Sequence, residues 1–243
     1  MIKETLDVER VFVIHHFLAE KECAALIRRS EAATYESGTV GGVVNENFRN
    51  NERVIVDDET LASNLFQRAQ PFLPAVVDGH HLVGFNERWR FYRYQPGQTF
   101  QPHRDGSYLR METGDKSEVT IMVYLNDGIV GGETKFYATA DHAFLQPPAP
   151  YLSVQPRTGM ALVFPHTIWH EGAVVQSGLK YVLRTDVLYG LHSTEPRVRA
   201  HFQLKSRAVA FDAAFGTLRA QKNLMALDRQ WNGELRRILR GGN

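Results

Sequence analysis

The stretch Tyr94–Gly106, YQPGQTFQPHRDG, is the point from which the rest of the chain can be interpreted. A Pro-Gly turn at 96–97 interrupts a run of aromatic residues and opens a second extended segment that ends in His-Arg-Asp. On extended backbone, residues i and i+2 project to the same side, so His103 and Asp105 present an imidazole and a carboxylate together while Arg104 faces away. Such a pair can take two neighbouring positions on one metal ion. A His-X-Asp pair occurs often by chance, so its meaning depends on what surrounds it.

What surrounds it is β-rich. From about His81 onward, short β-branched and aromatic runs follow one another: Arg88–Tyr94, Val119–Leu125, Glu133–Tyr137, Tyr151–Val154, Met160–Phe164 and Lys180–Tyr189. Asn126-Asp127-Gly128, Gly131-Gly132 and Pro147-Pro148 punctuate them, the spacing of an all-β sandwich or barrel. Upstream, Val11–Phe17 has the pattern of a strand. A helix opening at Ala19–Glu22 puts Cys23, Leu26, Ile27 and Ser30 on one face. A second helix is expected over about Glu59 to Phe72, and the Gly/Asn-rich residues 36–52 between the two as a mobile loop. Helices first and strands afterwards, without βαβ alternation, argue against a nucleotide-binding parallel sheet. The expected fold is mainly β, a single domain over 1–243 with a helical and loop support region (1–80), a rolled-sheet core (81–190) and a C-terminal helical extension (197–243). That extension carries ten Lys/Arg against three acids, consistent with an amphipathic helix whose basic face is solvated.

Bulk properties narrow the function classes. A formal net charge of +1 argues against nucleic acid and membrane surfaces as partners. The single cysteine, Cys23, excludes an internal disulfide framework and fits a reducing compartment. The charged start MIKETLDVER lacks an apolar signal segment, and no apolar run approaches the roughly 18–20 residues of a membrane span, so a cytoplasmic location is expected.

A third metal ligand must come from elsewhere in the chain. His170, in Trp169-His-Glu-Gly172, is offered by a later strand, with His166 as a rival four residues earlier. Two histidines and one carboxylate on one face of an octahedron leave coordination sites open, the signature of non-haem Fe(II) oxygenases. The strand after His170 carries Lys180 and Arg184 at the same parity, hence on one face. A cation there suits a dicarboxylate inside an apolar barrel, and Tyr124 could add a hydroxyl.

Five blocks in order, FLAEKECAALI (17–27), RYQPGQTFQPHRD (93–105), VTIMVYLNDGIVGGETKFY (119–137), VQPRTGMALVFP (154–165) and WHEG…GLKYVL (169–183), carry a resemblance to the prolyl 4-hydroxylase branch of the Fe(II)/2-oxoglutarate dioxygenases. The resemblance implies a double-stranded β-helix, or jelly roll, buttressed by N-terminal helices. It implies Fe(II) on His103, Asp105 and His170, with 2-oxoglutarate as cosubstrate, O₂ as oxidant and ascorbate as a candidate reductant. Lys180 matches the residue that grips the far carboxylate of 2-oxoglutarate, with Arg184 as the alternative, and Tyr94 and Tyr124 match tyrosines lining the cosubstrate pocket. Arg53 resembles an arginine on the substrate side. The implied activity is hydroxylation of a C–H bond, prolyl-type, in a protein or peptide, with release of succinate and CO₂. A free amino acid or other small metabolite stays open as substrate, as do a cupin-like metal-dependent non-oxygenase and a binding protein. The oligomeric state is left open.

Overall fold

The computed structural model describes residues 1–7, 10–40, 43–110, 113–138 and 149–190. The expected C-terminal extension with its basic face lies outside the described residues. The described chain falls into two packing units. The larger holds Met1–Pro74, Gly84–Ser107 and Ser117–Leu188; the smaller takes in Ala75–Val83 and Tyr108–Lys116, where Val76 and Val77 pair with His81 and His80 in a short hairpin.

In chain order the elements that frame the site are β1 (Ile2–Asp7), β2 (Val11–His15), α1 (Glu20–Glu31), β3 (Glu36–Ser37), β4 (Glu52–Asp57), α2 (Glu59–Ala69), β5 (Arg88–Tyr94), β6 (Phe100–His103), β7 (Lys116–Tyr124), β8 (Thr134–Tyr137), β9 (Leu152–Val154), β10 (Ala161–Pro165), β11 (Trp169–Gly172) and β12 (Lys180–Gly190). A large sheet runs β1-β2-β10-β7-β12-β5-β4-β3, and a smaller one runs β6-β11-β8-β9. The pairs β1/β2, β2/β10, β10/β7, β12/β5, β5/β4, β4/β3, β6/β11, β11/β8 and β8/β9 are antiparallel.

The two sheets face each other across an apolar core. Tyr92, Tyr94, Tyr124, Leu162, Phe164 and Val182 from the large sheet meet Phe136 and Val154 from the small one. The Phe136 and Phe164 rings meet edge to face with centroids 5.2 Å apart. This is the expected jelly roll, and most strands lie where alternation of apolar residues placed them. β1, β3 and β4 are additions, while β6 and β11 are the extended segment before Asp105 and the later strand of His170. β1 (IKETLD) is polar because it is an edge strand, and β6 carries Pro102 within only four residues.

Both helices form as their ends dictate. In α1 the Glu22 carboxylate accepts from the Ala19 backbone N–H at 2.9 Å, and in α2 Asp58 caps Leu61 N–H at 2.8 Å. Arg68 of α2 grips both carboxylate oxygens of Glu22 at 3.0 and 2.7 Å, joining the helices. The 36–52 stretch, expected as a mobile loop, carries order that its composition hides. Glu36 and Ser37 pair with Arg53 and Glu52, Asn50 accepts from Thr99 N–H at 2.7 Å, and Phe48 C=O accepts from Gln101 N–H at 2.9 Å. Asn50, one of the residues that suggested looseness, thus fastens the stretch to Thr99, just before β6.

Candidate metal centre

β6 and β11 lie side by side with His103 directly opposite His170. Their ring centroids are 4.3 Å apart. Each ring is fixed by the carbonyl two residues before it: His103 Nδ1 lies 2.7 Å from Gln101 O and His170 Nδ1 lies 3.0 Å from Ile168 O. A carbonyl can only accept, so Nδ1 carries the proton and Nε2 keeps its lone pair. Phe100 stacks on His103 at 3.5 Å.

Asp105 follows β6 and reaches across to the large sheet. Its oxygens lie 3.9 Å from His103 Nε2 and 3.7 Å from His170 Nε2. One ligand atom from each of the three residues falls within 4.8 Å of the others. Asp105 Oδ2 is held from behind by Thr120 Oγ1 at 2.5 Å and Arg184 Nη2 at 3.0 Å. Arg184 Nη2 also donates to Thr120 Oγ1 at 3.2 Å and sits 3.0 Å from Asp186 Oδ1. Although burial would raise it, Asp105 is kept well below the usual carboxylate range by Arg184, His170 and His103. Burial, with His170 alongside, pushes His103 down to about 3, and burial lowers His170 as well. Two neutral imidazoles and one ionised carboxylate are the protonation states that a divalent metal requires, so the donor set fits a ferrous ion with a facial triad of protein ligands.

The other residues singled out in the sequence sort themselves around this point. His166, the rival ligand, is 3% exposed and faces Asp186 Oδ1 at 3.6 Å; it is not in the ligand cluster. Lys180, Arg184 and Tyr94 line a void of about 40 Å³ together with the three ligands. Arg184 is engaged by Asp105 and Asp186, whereas Lys180, 1% exposed, has no ion-pair partner among the described residues. Lys180 stands opposite Tyr94 in the sheet, its Nζ 4.8 Å from that ring and 5.7 Å from the ring of Tyr124. Burial pushes Lys180 down to about 7. Tyr124 lies one layer deeper: its hydroxyl donates to Thr134 Oγ1 at 2.7 Å, and Thr134 lines the void. Arg53 lies apart from the void and lines an open cleft on which His103 and Asp105 also border.

Thr120, Thr134 and Asp186 were not singled out in advance, although parity offered a signal. Thr120 shares the face of Tyr124 on β7, and Asp186 shares that of Lys180 and Arg184 on β12.

Comparison with known proteins accords with this geometry. Residues 89–185 match the model of the 2OG-Fe(II) oxygenase superfamily. The chain is 26% identical over 194 residues to Prolyl 4-hydroxylase 1 of Arabidopsis thaliana, covering 71% of this chain and 66% of that protein. To Probable prolyl 4-hydroxylase 3 of the same plant it is 27% identical over 168 residues, covering 64% and 58%. The chain thus spans less than two thirds of the length of these curated relatives. Among solved structures, a Pseudomonas putida prolyl-4-hydroxylase superposes with a TM-score of 0.54 at 20% identity, over 73% of this chain and 91% of that one. A Trichoplax adhaerens prolyl hydroxylase, in complex with a hypoxia inducible factor oxygen degradation domain peptide fragment, gives 0.57 at 15% identity, over 75% and 84%. At these identities the two structures establish the fold.

Proposed function

From the chain's place in the 2OG-Fe(II) oxygenase superfamily, carried by residues 89–185, we propose that it is an Fe(II)- and 2-oxoglutarate-dependent hydroxylase acting on a residue of a protein or peptide, prolyl in type. The observation that carries the proposal is one buried meeting point of His103, Asp105 and His170, bordering the same void as a buried lysine that makes no salt bridge among the described residues. The prolyl and peptide part draws support from the relatives, whose names state prolyl hydroxylation and, in one structure, a bound peptide.

His103 and His170 would hold the metal through Nε2 and Asp105 through a carboxylate oxygen. When bound, the metal with 2-oxoglutarate and O₂ supplies the oxidising power, converting the keto acid to succinate and CO₂ as a substrate C–H bond becomes C–OH. Everything else is the work of the chain. Lys180 would receive the far carboxylate of 2-oxoglutarate as a charge-assisted partner in an apolar setting, with Tyr94 beside it and Thr134, steadied by Tyr124, lining the same void. Arg184, the alternative clamp, is already committed to Asp105 and Asp186, which favours Lys180 for that role. Thr120 and Arg184 would keep the Asp105 carboxylate in one orientation. Phe100, Met122 and Phe164 keep water from the void.

The test is aerobic incubation with Fe(II), 2-oxoglutarate and capped proline peptides. Succinate should appear, and a peptide should gain the mass of one oxygen atom. Asp105→Ala, which deletes a ligand, should abolish both products; full activity in that variant would refute the ligand set.

A further inference from the structure

Beyond the void, a second concavity of about 350 Å³ opens on the other side of His103 and Asp105. Its wall is dominated by guanidinium groups: Arg49, Arg53, Arg90, Arg104 and Arg184. Among the described residues the one acid on that wall is Asp105. Asp186 stands behind it, 3.0 Å from Arg184 and 3.2 Å from Arg90. Counted over these described groups alone, five guanidinium groups stand with two carboxylates, and a ferrous ion with a dianionic keto acid adds no net charge. Glu36, opposite Arg53 in the sheet, is exposed to solvent.

Neighbouring groups register the excess. Burial would push the Tyr92 phenol up, yet Arg184, Arg49 and Arg90 around it bring it below its ordinary range. Arg53 is lowered first by burial and then by the like charge of Arg49. Arg49 itself has a built seat. It is 5% exposed, its Nε donates to Asn51 Oδ1 at 2.8 Å, and its guanidinium lies over the rings of Phe100 at 4.4 Å and Tyr92 at 4.8 Å. Gly38 makes room for it, since a Cβ there would stand 2.5 Å from Arg49 Nε. A planar donor group held this way has little freedom left to lose when an anion arrives.

We infer that this cleft receives a peptide segment with Asp or Glu next to the residue to be hydroxylated, its carboxylates docking on Arg49 and Arg53. The inference rests on the oxygenase reading and names its substrate class. The cleft shares Tyr92, Phe100, His103, Asp105 and Arg184 with the void, so a carboxylate there lies within a residue or two of the reacting centre. A free amino acid fits less well. It brings an ammonium group, and among the described residues the wall offers that group no carboxylate except the metal ligand Asp105. An internal acidic residue of a peptide brings the anion alone.

Labelled peptides capped at both ends, with proline flanked by Glu, Gln or Lys, test this by fluorescence anisotropy on the metal-free full chain. The Glu peptide should bind about tenfold more tightly than the Gln peptide, the size of one charge-assisted contact, and lose that advantage in high salt. Arg53→Gln and Arg49→Gln should each pull the Glu-to-Gln ratio towards one. Arg53 is the decisive variant if loss of Arg49 disturbs folding, which circular dichroism reports. Equal binding of Glu and Gln peptides overturns the inference, as does unlabelled free proline displacing the Glu peptide at lower concentration than a capped peptide. Succinate release by the same chain once Fe(II), 2-oxoglutarate and air are supplied separates the two layers. Succinate without a charge preference defeats the acidic substrate and leaves the oxygenase. A charge preference without succinate defeats the oxygenase, and with it the claim that the peptide is a substrate.

Discussion

Lys180 is a cation held where water is scarce, and its titration should be visible in cosubstrate binding. Burial lowers it to about 7. A carboxylate docked on Nζ favours the charged form, so above pH 7 binding must take up a proton. Affinity for 2-oxoglutarate is therefore full below pH 7 and falls as pH rises, approaching about tenfold per unit well above it. Calorimetry in buffers of different ionisation enthalpy measures the proton uptake; a dissociation constant flat to pH 9 would remove Lys180 from this role. Thr120 is the matching test on the metal side. Thr120→Val keeps the shape of the side chain but deletes the 2.5 Å hydrogen bond to Asp105, and metal affinity should drop about 10- to 100-fold in an Fe(II) titration. An unchanged affinity would mean that Arg184 alone orients the carboxylate. The three candidate ligands could be picked out in the sequence because metal binding restricts residue type, and the fold brings them together. Thr120 and Asp186 were not singled out, because a hydroxyl or a carboxylate on a strand has many other uses and only parity marked them out.

At the level of elements, the centre is a matter of register. β6 and β11 bring His103 and His170 opposite each other despite a shift in pairing between Phe100 and His103, and Asp105 lies just past the end of β6. A slip of one residue would turn His170 to the other face of the sheet. Tight turns hold the register. At Gly159, before β10, φ is +74° and a Cβ would come within 2.0 Å of Leu18 O, the residue whose N–H donates to Gly159 O at 3.0 Å. Gly159→Ala should cost about 1–3 kcal/mol from backbone strain alone, read as a lower urea midpoint. Unchanged stability would show that the turn relaxes freely. Strands such as β5 and β12 were legible from their β-branched and aromatic runs. β1 was hidden by the charges that suit an exposed edge.

Over the whole molecule, charge is distributed in a way that no total reveals. The formal net charge is +1, yet arginines 49, 53, 90, 104 and 184, far apart in sequence, converge on one cleft. The family resemblance singled out Arg53 alone, and the cluster went unseen because convergence is a property of the folded sheets. No helix among the described residues is long and apolar enough to cross a membrane. The same convergence of distant parts applies to the metal centre, and there spectroscopy decides. Anaerobic addition of Fe(II) and 2-oxoglutarate should produce a weak visible charge-transfer band with one iron per chain, and His170→Ala should abolish it. A fully metallated wild-type chain without the band, or a band that survives loss of His170, would contradict a ferrous ion shared by His103, Asp105 and His170.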